Sequence, residues 1–191
     1  MTRAIYSPPW RVDLTVRDGV HVPVAAAALA RSVGAALDAS GAPTPASIGL
    51  ILSDDAELAE LNLVHMGKDG PTDVLSFPLL PAAAFPAHVG QPAEARPASA
   101  ASWTGTEDFA LPPGRRLHLG DIVISVERAI DQAEAGRGGQ TGDVRWSAAD
   151  ELRLLATHGT LHICGWDHAE PVEEAAMRIL EARLLEPVPT T

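Results

Sequence analysis

The sequence predicts one domain of mixed α and β structure, built from four short strands and five helices, and three observations carry that prediction. Period-two alternation and short apolar runs mark strands at four places. Apolar residues at three- and four-residue spacing mark helices between and after them. The length of 191 residues, 46% of them hydrophobic but only 4% aromatic, suits a single globular unit with an aliphatic core.

Val12 to Val16 sets Val12, Leu14 and Val16 against Asp13 and Thr15, the alternation of a half-buried strand. Val22 to Leu37 then carries Leu29, Val33 and Leu37 at helical spacing in an Ala-rich frame, and Asp38 to Gly41 stops it. Ser47 to Leu52 is a second strand, after which Ser53-Asp54-Asp55 supplies the N-cap of a helix through Leu58, Leu61 and Val64. Gly67 to Pro71 is turn chemistry. Thr72 to Pro78 is a third strand, with Val74 and Ser76 facing opposite to Asp73, Leu75 and Phe77, and Leu117 to Ser125 is the fourth and most apolar.

The stretch between those two strands, at about 80–116, is rich in Ala and Pro and keeps no period, so it reads as a flexible insertion within a single domain spanning 1–191. Two roles fit it, a mobile loop without chemistry or a lid over substrate. Ser125 then caps a helix through Val126, Ala129, Ile130 and Ala133 to Gly136, followed by the Gly-rich Arg137 to Gly142. Ser147 with Asp150 and Glu151 opens a helix carrying Leu152, Leu155 and Leu161. A last helix starts near Pro171 and buries Met177, Leu180 and Leu184.

Composition narrows the function. A formal net charge of −11, from 25 acidic against 14 basic residues, argues against broad electrostatic capture of nucleic acid, while leaving room for a local basic groove. Cys164 is the single cysteine, so no intrachain disulfide forms and a reduced, cytoplasmic setting is expected; at its helical position it reads as a small buried residue. Pro8 and Pro9 interrupt the N-terminal stretch, which has no apolar core of signal-peptide length. No apolar run approaches the ~20 residues of a membrane-spanning helix, so no membrane partner is expected.

The chemistry concentrates in His158-Gly159-Thr160-Leu161-His162-Ile163-Cys164-Gly165-Trp166-Asp167-His168. His158 and His162 are four apart on a helix and project from one face. Gly165 stands where that helix ends and lets the chain reverse, bringing His168 back as a third ligand. Three imidazoles suit one zinc ion and leave a coordination position open, the catalytic rather than the structural arrangement, although nickel or iron also fits three histidines. Such an ion acidifies water to a pKa of about 7 and stabilises charge on a carbonyl or phosphoryl oxygen. The peptidase motif His-Glu-x-x-His would place a carboxylate at position 159, where this chain has Gly159, so peptide hydrolysis by that route is unsupported. Asp167 reads either as a partner orienting a ligand imidazole or as a turn cap.

The histidine segment resembles the signature of the YbeY family of bacterial zinc-dependent endoribonucleases, His-Gly-x-Leu-His-x-x-Gly-Tyr-Asp-His, with Trp166 in place of Tyr. Two further blocks agree: Pro71-Thr72-Asp73-Val74-Leu75-Ser76-Phe77-Pro78 is similar to a family strand, and Leu119-Gly120-Asp121-Ile122 to another. The resemblance runs from about Ser47 to Leu185. It implies an α+β fold with a small mixed four-stranded sheet, about five surrounding helices and a metal site at the end of a central helix. It also implies zinc held by His158, His162 and His168, single-stranded RNA rather than DNA as substrate, work on ribosomal particles, and a part in 16S rRNA 3′-end maturation and ribosome quality control. One position departs: Met66 stands where the family carries an arginine. Methionine offers neither charge nor donor for a phosphate. His65 and Lys68 are candidates for part of that contact, with a buried histidine and a solvated turn lysine as the alternatives, and Arg145 and Arg153 are further candidate RNA contacts. An assembly factor with a structural zinc and little turnover is the second functional expectation.

Overall fold

The computed structural model describes residues 1–92, 116–136 and 146–186. Its sheet has five strands where the sequence leads one to expect four: β1 (Thr2–Ser7), β2 (Trp10–Val16), β3 (Ala46–Ser53), β4 (Val74–Pro78) and β5 (Leu117–Ser125), in the order β1-β2-β3-β5-β4. The unexpected strand is β1, paired antiparallel with β2 from Thr2 opposite Thr15 to Ser7 opposite Trp10. It lies at the sheet edge and only Ile5 packs against the core, so its sequence needs no apolar alternation. The pairs β2–β3 and β3–β5 are parallel and β4–β5 is antiparallel, a mixed sheet as expected.

The helices are α1 (Ala26–Ala39), α2 (Asp55–Met66), α3 (Val126–Glu134), α4 (Ala148–Ile163) and α5 (Pro171–Leu185). The side chains of Asp54 and Ser125 accept from the backbone N–H groups of Glu57 and Arg128. Ser147 and Asp150 cap α4 reciprocally, which satisfies two of the donors that a helix start leaves orphaned. Helix α1 begins at Ala26 rather than near Val22. Pro23 accounts for the delay, since a residue preceding proline is pushed out of the helical region.

The two sheet faces are unequally covered. The main core joins Leu14, Leu50, Leu52, Ile122 and Ile124 of the sheet to Leu29, Val33 and Leu37 of α1 and to Leu152, Leu155 and Leu161 of α4. In a second, smaller cluster, Leu58 of α2 packs against Leu75 and Val123, with Phe77 beside them. The alternation expected in β4 is therefore real: Leu75 and Phe77 meet α2, while Ser76 points to α4 and donates to the Gly159 carbonyl at 3.1 Å. Helix α4 touches β4, β5, α1, α3 and α5, and so occupies the centre of the molecule.

The position of α4 depends on Gly159. A Cβ there would lie 2.7 Å from Ile122 Cγ2 and 3.1 Å from Ser76 Oγ, so the helix approaches the sheet as closely as it does because this residue has no side chain. The beginning of the expected loop also departs from expectation. Residues 80–92 include a 3-10 turn at Ala82–Ala84, Phe85 is 2% exposed in the core, and the buried Gln91 donates to the Ala82 carbonyl at 2.7 Å. Composition hid this because small and Pro residues pack without a helical or strand period. The remainder of the insertion, residues 93–115, lies outside the described residues.

Candidate metal centre

His158 and His162 lie on α4 one turn apart, with ring centroids 4.6 Å from each other. The turn after α4 then decides where the third histidine goes. Gly165 N–H donates to the His162 carbonyl and Trp166 N–H to the Leu161 carbonyl, both at 3.0 Å, and Gly165 has φ of 82°. This pair of bonds closes a helix with a left-handed residue and turns the chain back on itself. His168 is thereby returned to the helix end, its ring centroid 5.5 Å from that of His158 and 4.9 Å from that of His162. One ligand nitrogen from each of the three falls within 4.8 Å of the others.

The hydrogen bonds on the far side of the rings fix which nitrogens face inward. His158 Nδ1 donates to Glu181 Oε1 of α5 at 2.6 Å, and His162 Nδ1 donates to the Trp166 carbonyl at 2.9 Å. A carboxylate and a carbonyl oxygen only accept, so both Nδ1 atoms carry a proton and both Nε2 atoms face the side that the two rings share. Those two Nε2 atoms are 3.0 Å apart. An approach that close needs either a shared proton or a cation between the two atoms, and a metal ion takes the proton's place when both rings are neutral. For a tetrahedral ion with Zn–N bonds of ~2.0–2.1 Å, simple trigonometry separates neighbouring ligand nitrogens by about 3.3 Å. The three-imidazole donor set and the close approach of the His158 and His162 nitrogens fit a zinc ion, and carboxylate–histidine and carbonyl–histidine supports of this kind are what metal-ligating histidines use.

Burial gives the site its electrostatics. His162 has its pKa lowered to about 4, first by burial and then by the neighbouring His158 and His168, so its imidazole is neutral and ready to ligate at neutral pH. Cys164 is fully buried and its thiol is pushed up to about 12 by that burial, which agrees with its reading as a small packed residue. Asp167 resolves toward the turn: its Oδ1 accepts from the His168 backbone N–H at 2.7 Å, and its own N–H donates to the Gly90 carbonyl at 2.8 Å. It holds the backbone of His168 rather than a ring.

The histidines open into a cleft of about 1470 Å³ whose walls come from the α2–β4 connection, β4, residues 80–92, α4 and α5. Lys68, Met66 and Arg153 line it, with Met66 56% exposed. His65 is exposed and does not line the cleft; its ring meets Phe77 edge-on at 5.0 Å. Arg145 lies outside the described residues. Sequence reasoning misses Glu181, because its partner is 23 residues away on another helix. A signal was present: a carboxylate immediately beside the buried Leu180 on α5, with a side chain only 13% exposed.

The family model described as Endoribonuclease YbeY matches residues 18–188. Proteins named Endoribonuclease YbeY include one from Salinispora tropica, 42% identical over 78% of this chain and 79% of its own length. Another, from a Roseiflexus species, is 34% identical over 91% of this chain and 90% of its own. A solution structure of a Thermotoga maritima protein is 20% identical with a TM-score of 0.48, covering 92% of this chain and 86% of that one. A family model covering nearly the whole chain, together with relatives above 30% identity along most of their own lengths, places this chain in the YbeY endoribonuclease family.

Proposed function

We propose that this protein is a zinc-dependent endoribonuclease that hydrolyses single-stranded RNA. The observation that carries the reading is the cluster of His158, His162 and His168, in which Nδ1 bonds to Glu181 and Trp166 turn two Nε2 atoms toward each other at 3.0 Å. His158, His162 and His168 would hold the ion, which when bound supplies an acidified water and a positive charge beside a phosphoryl oxygen. The chain's own part is to orient. Glu181 fixes the His158 tautomer, the Trp166 carbonyl fixes that of His162, and Asp167 fixes the backbone that carries His168. Ser76 and the Gly159 carbonyl anchor the middle of α4 to β4, so the ligand pair stands on rigid structure. Membership in the family supports ribosomal RNA and ribosomal particles as the physiological context, including 16S rRNA 3′-end maturation, in the cytoplasm. Lys68 lines the cleft and is the candidate phosphate contact; His65, turned toward Phe77, would reach RNA only beyond the cleft.

Purified protein loaded with zinc should cleave a single-stranded RNA, and His158→Ala or chelation should lower the rate by at least a hundredfold, with zinc restoring the chelated sample. Undiminished cleavage by metal-free protein would falsify the mechanism. A second reading, an assembly factor with little turnover, draws support from the exposed Met66 in the cleft, a position without charge or donor. It predicts that folded His158→Ala protein keeps both ribosomal-particle association and its cellular function.

A further inference from the structure

The walls of the cleft specify how it grips a strand of RNA, an argument that rests on the ribonuclease reading. Among the described residues lining it, eight are carboxylates and three are basic, Lys68, Arg153 and Arg178. Arg178 pairs with Glu174 at 2.6 Å. Arg153 faces Asp150 at 3.6 Å and donates to Ser32 Oγ at 3.4 Å. Of the three, Lys68 alone makes no ion pair among the described residues, and Met66 lines the cleft two positions before it. Phosphates entering this space meet many fixed negative charges and about one uncommitted cation, which is a poor backbone clamp.

The cleft does offer an aromatic face. Trp146 lines it just before the start of α4, half-buried, and its indole N–H donates to Glu151 Oε2 at 2.6 Å. Glu151 is 2% exposed, so the anchor is itself held within the protein. It stands seven residues before His158, two turns earlier on the same face of α4, which sets the anchor about 10 Å along the helix from the first ligand. An indole anchored through its N–H at one edge is held in a fixed orientation without using its faces for hydrogen bonding, and every base has a face to stack on such a ring.

We propose that Trp146 is a stacking platform for a base of the substrate strand, and that the cleft holds single-stranded RNA chiefly by its bases, with Lys68 making the one strong side-chain contact to a phosphate beside the one at the metal. Trp146 is a binding residue in this scheme and takes no part in bond breaking. Loss of the platform therefore raises KM and leaves kcat at saturating RNA near its starting value.

The test uses the zinc-loaded full chain and a labelled, cleavage-resistant 2′-O-methyl phosphorothioate octanucleotide, with binding read by anisotropy. A tenfold rise in salt should weaken binding about 5- to 25-fold, the effect of one phosphate at Lys68 with or without a second at the metal on a single strand. Trp146→Ala should weaken it about 5- to 150-fold, the range for one lost base stack. Trp146→Phe keeps a ring and should retain most of the affinity, which separates stacking from misfolding. An octanucleotide with the same phosphates but no bases should bind no better than the alanine variant binds the normal strand. Equal affinity for the abasic strand, or a loss of a hundredfold or more over the tenfold salt range, overturns the proposal. Wild-type cleavage of ordinary RNA, run in parallel, separates the two failures: cleavage with unchanged Trp146→Ala affinity removes the platform alone, whereas absence of cleavage removes the nuclease reading and the platform with it.

Discussion

At the scale of single residues, the site is decided by protons on ring nitrogens. Glu181 keeps the proton of His158 on Nδ1 through a 2.6 Å bond, and an imidazole free to rotate or change tautomer would present its lone pair to an ion only part of the time. Glu181→Ala should weaken zinc binding about 10- to 100-fold, measured by competition with a chromophoric chelator, and Glu181→Gln, which still offers an accepting oxygen, should recover part of the loss. Titration gives a second expectation. His162 falls from 6.5 to about 4 in the folded chain because burial and its two histidine neighbours disfavour the charged form. Between those two values the unfolded chain binds more protons than the folded one. The melting temperature of metal-free protein should hold above pH 6.5 and fall as the pH drops from there toward 4, and His162→Gln should flatten that slope.

At the scale of elements, α4 joins the core to the chemistry. One face of the helix buries Leu152, Ala156 and Gly159 toward the rest of the fold, and its last turns carry His158 and His162. Position 159 lacks the carboxylate of a peptidase, and the structure adds that no side chain fits there. Gly159→Ala would press a methyl group against Ile122 and Ser76, at 2.7 and 3.1 Å. The gain in helix propensity is about 1 kcal/mol and the cost of overpacking typically ~1–3 kcal/mol, so we expect net destabilisation. Chemical denaturation should show a lower midpoint with an unchanged slope. Metal affinity should fall as well, since displacing the helix displaces two ligands together.

Across the whole molecule, the packing that holds the fold is separate from the metal position. The sheet and its helices form a continuous aliphatic core that includes Ile122, Leu152 and Leu161, built from side chains other than the three histidines. Zinc should therefore stabilise a folded chain instead of creating one. At a free concentration 100 times Kd the linkage is about 2.7 kcal/mol, which for a domain of this size raises Tm by roughly 5–11 °C. Calorimetry before and after chelation checks this; collapse of the cooperative transition without zinc would contradict it.

The same scale separates what was legible in the linear chain from what was not. Local rules were enough for the caps at Asp54, Ser125 and Ser147, for the turn at Gly165, and for the i, i+4 pair His158 and His162, because each depends on residues within a turn or two of one another. The edge strand β1 escaped, since a strand with one half-covered face carries little apolar pattern, and so did the packing of Phe85, whose surroundings come from distant segments. Within the site, the sequence by itself determined the three histidines and the chain reversal that gathers them. Only the tertiary structure decided that Glu181 would orient His158 and that Trp146, Lys68 and Met66 would share one cleft, because those meetings require α2, α4 and α5 to be brought together by a core whose geometry no local pattern encodes.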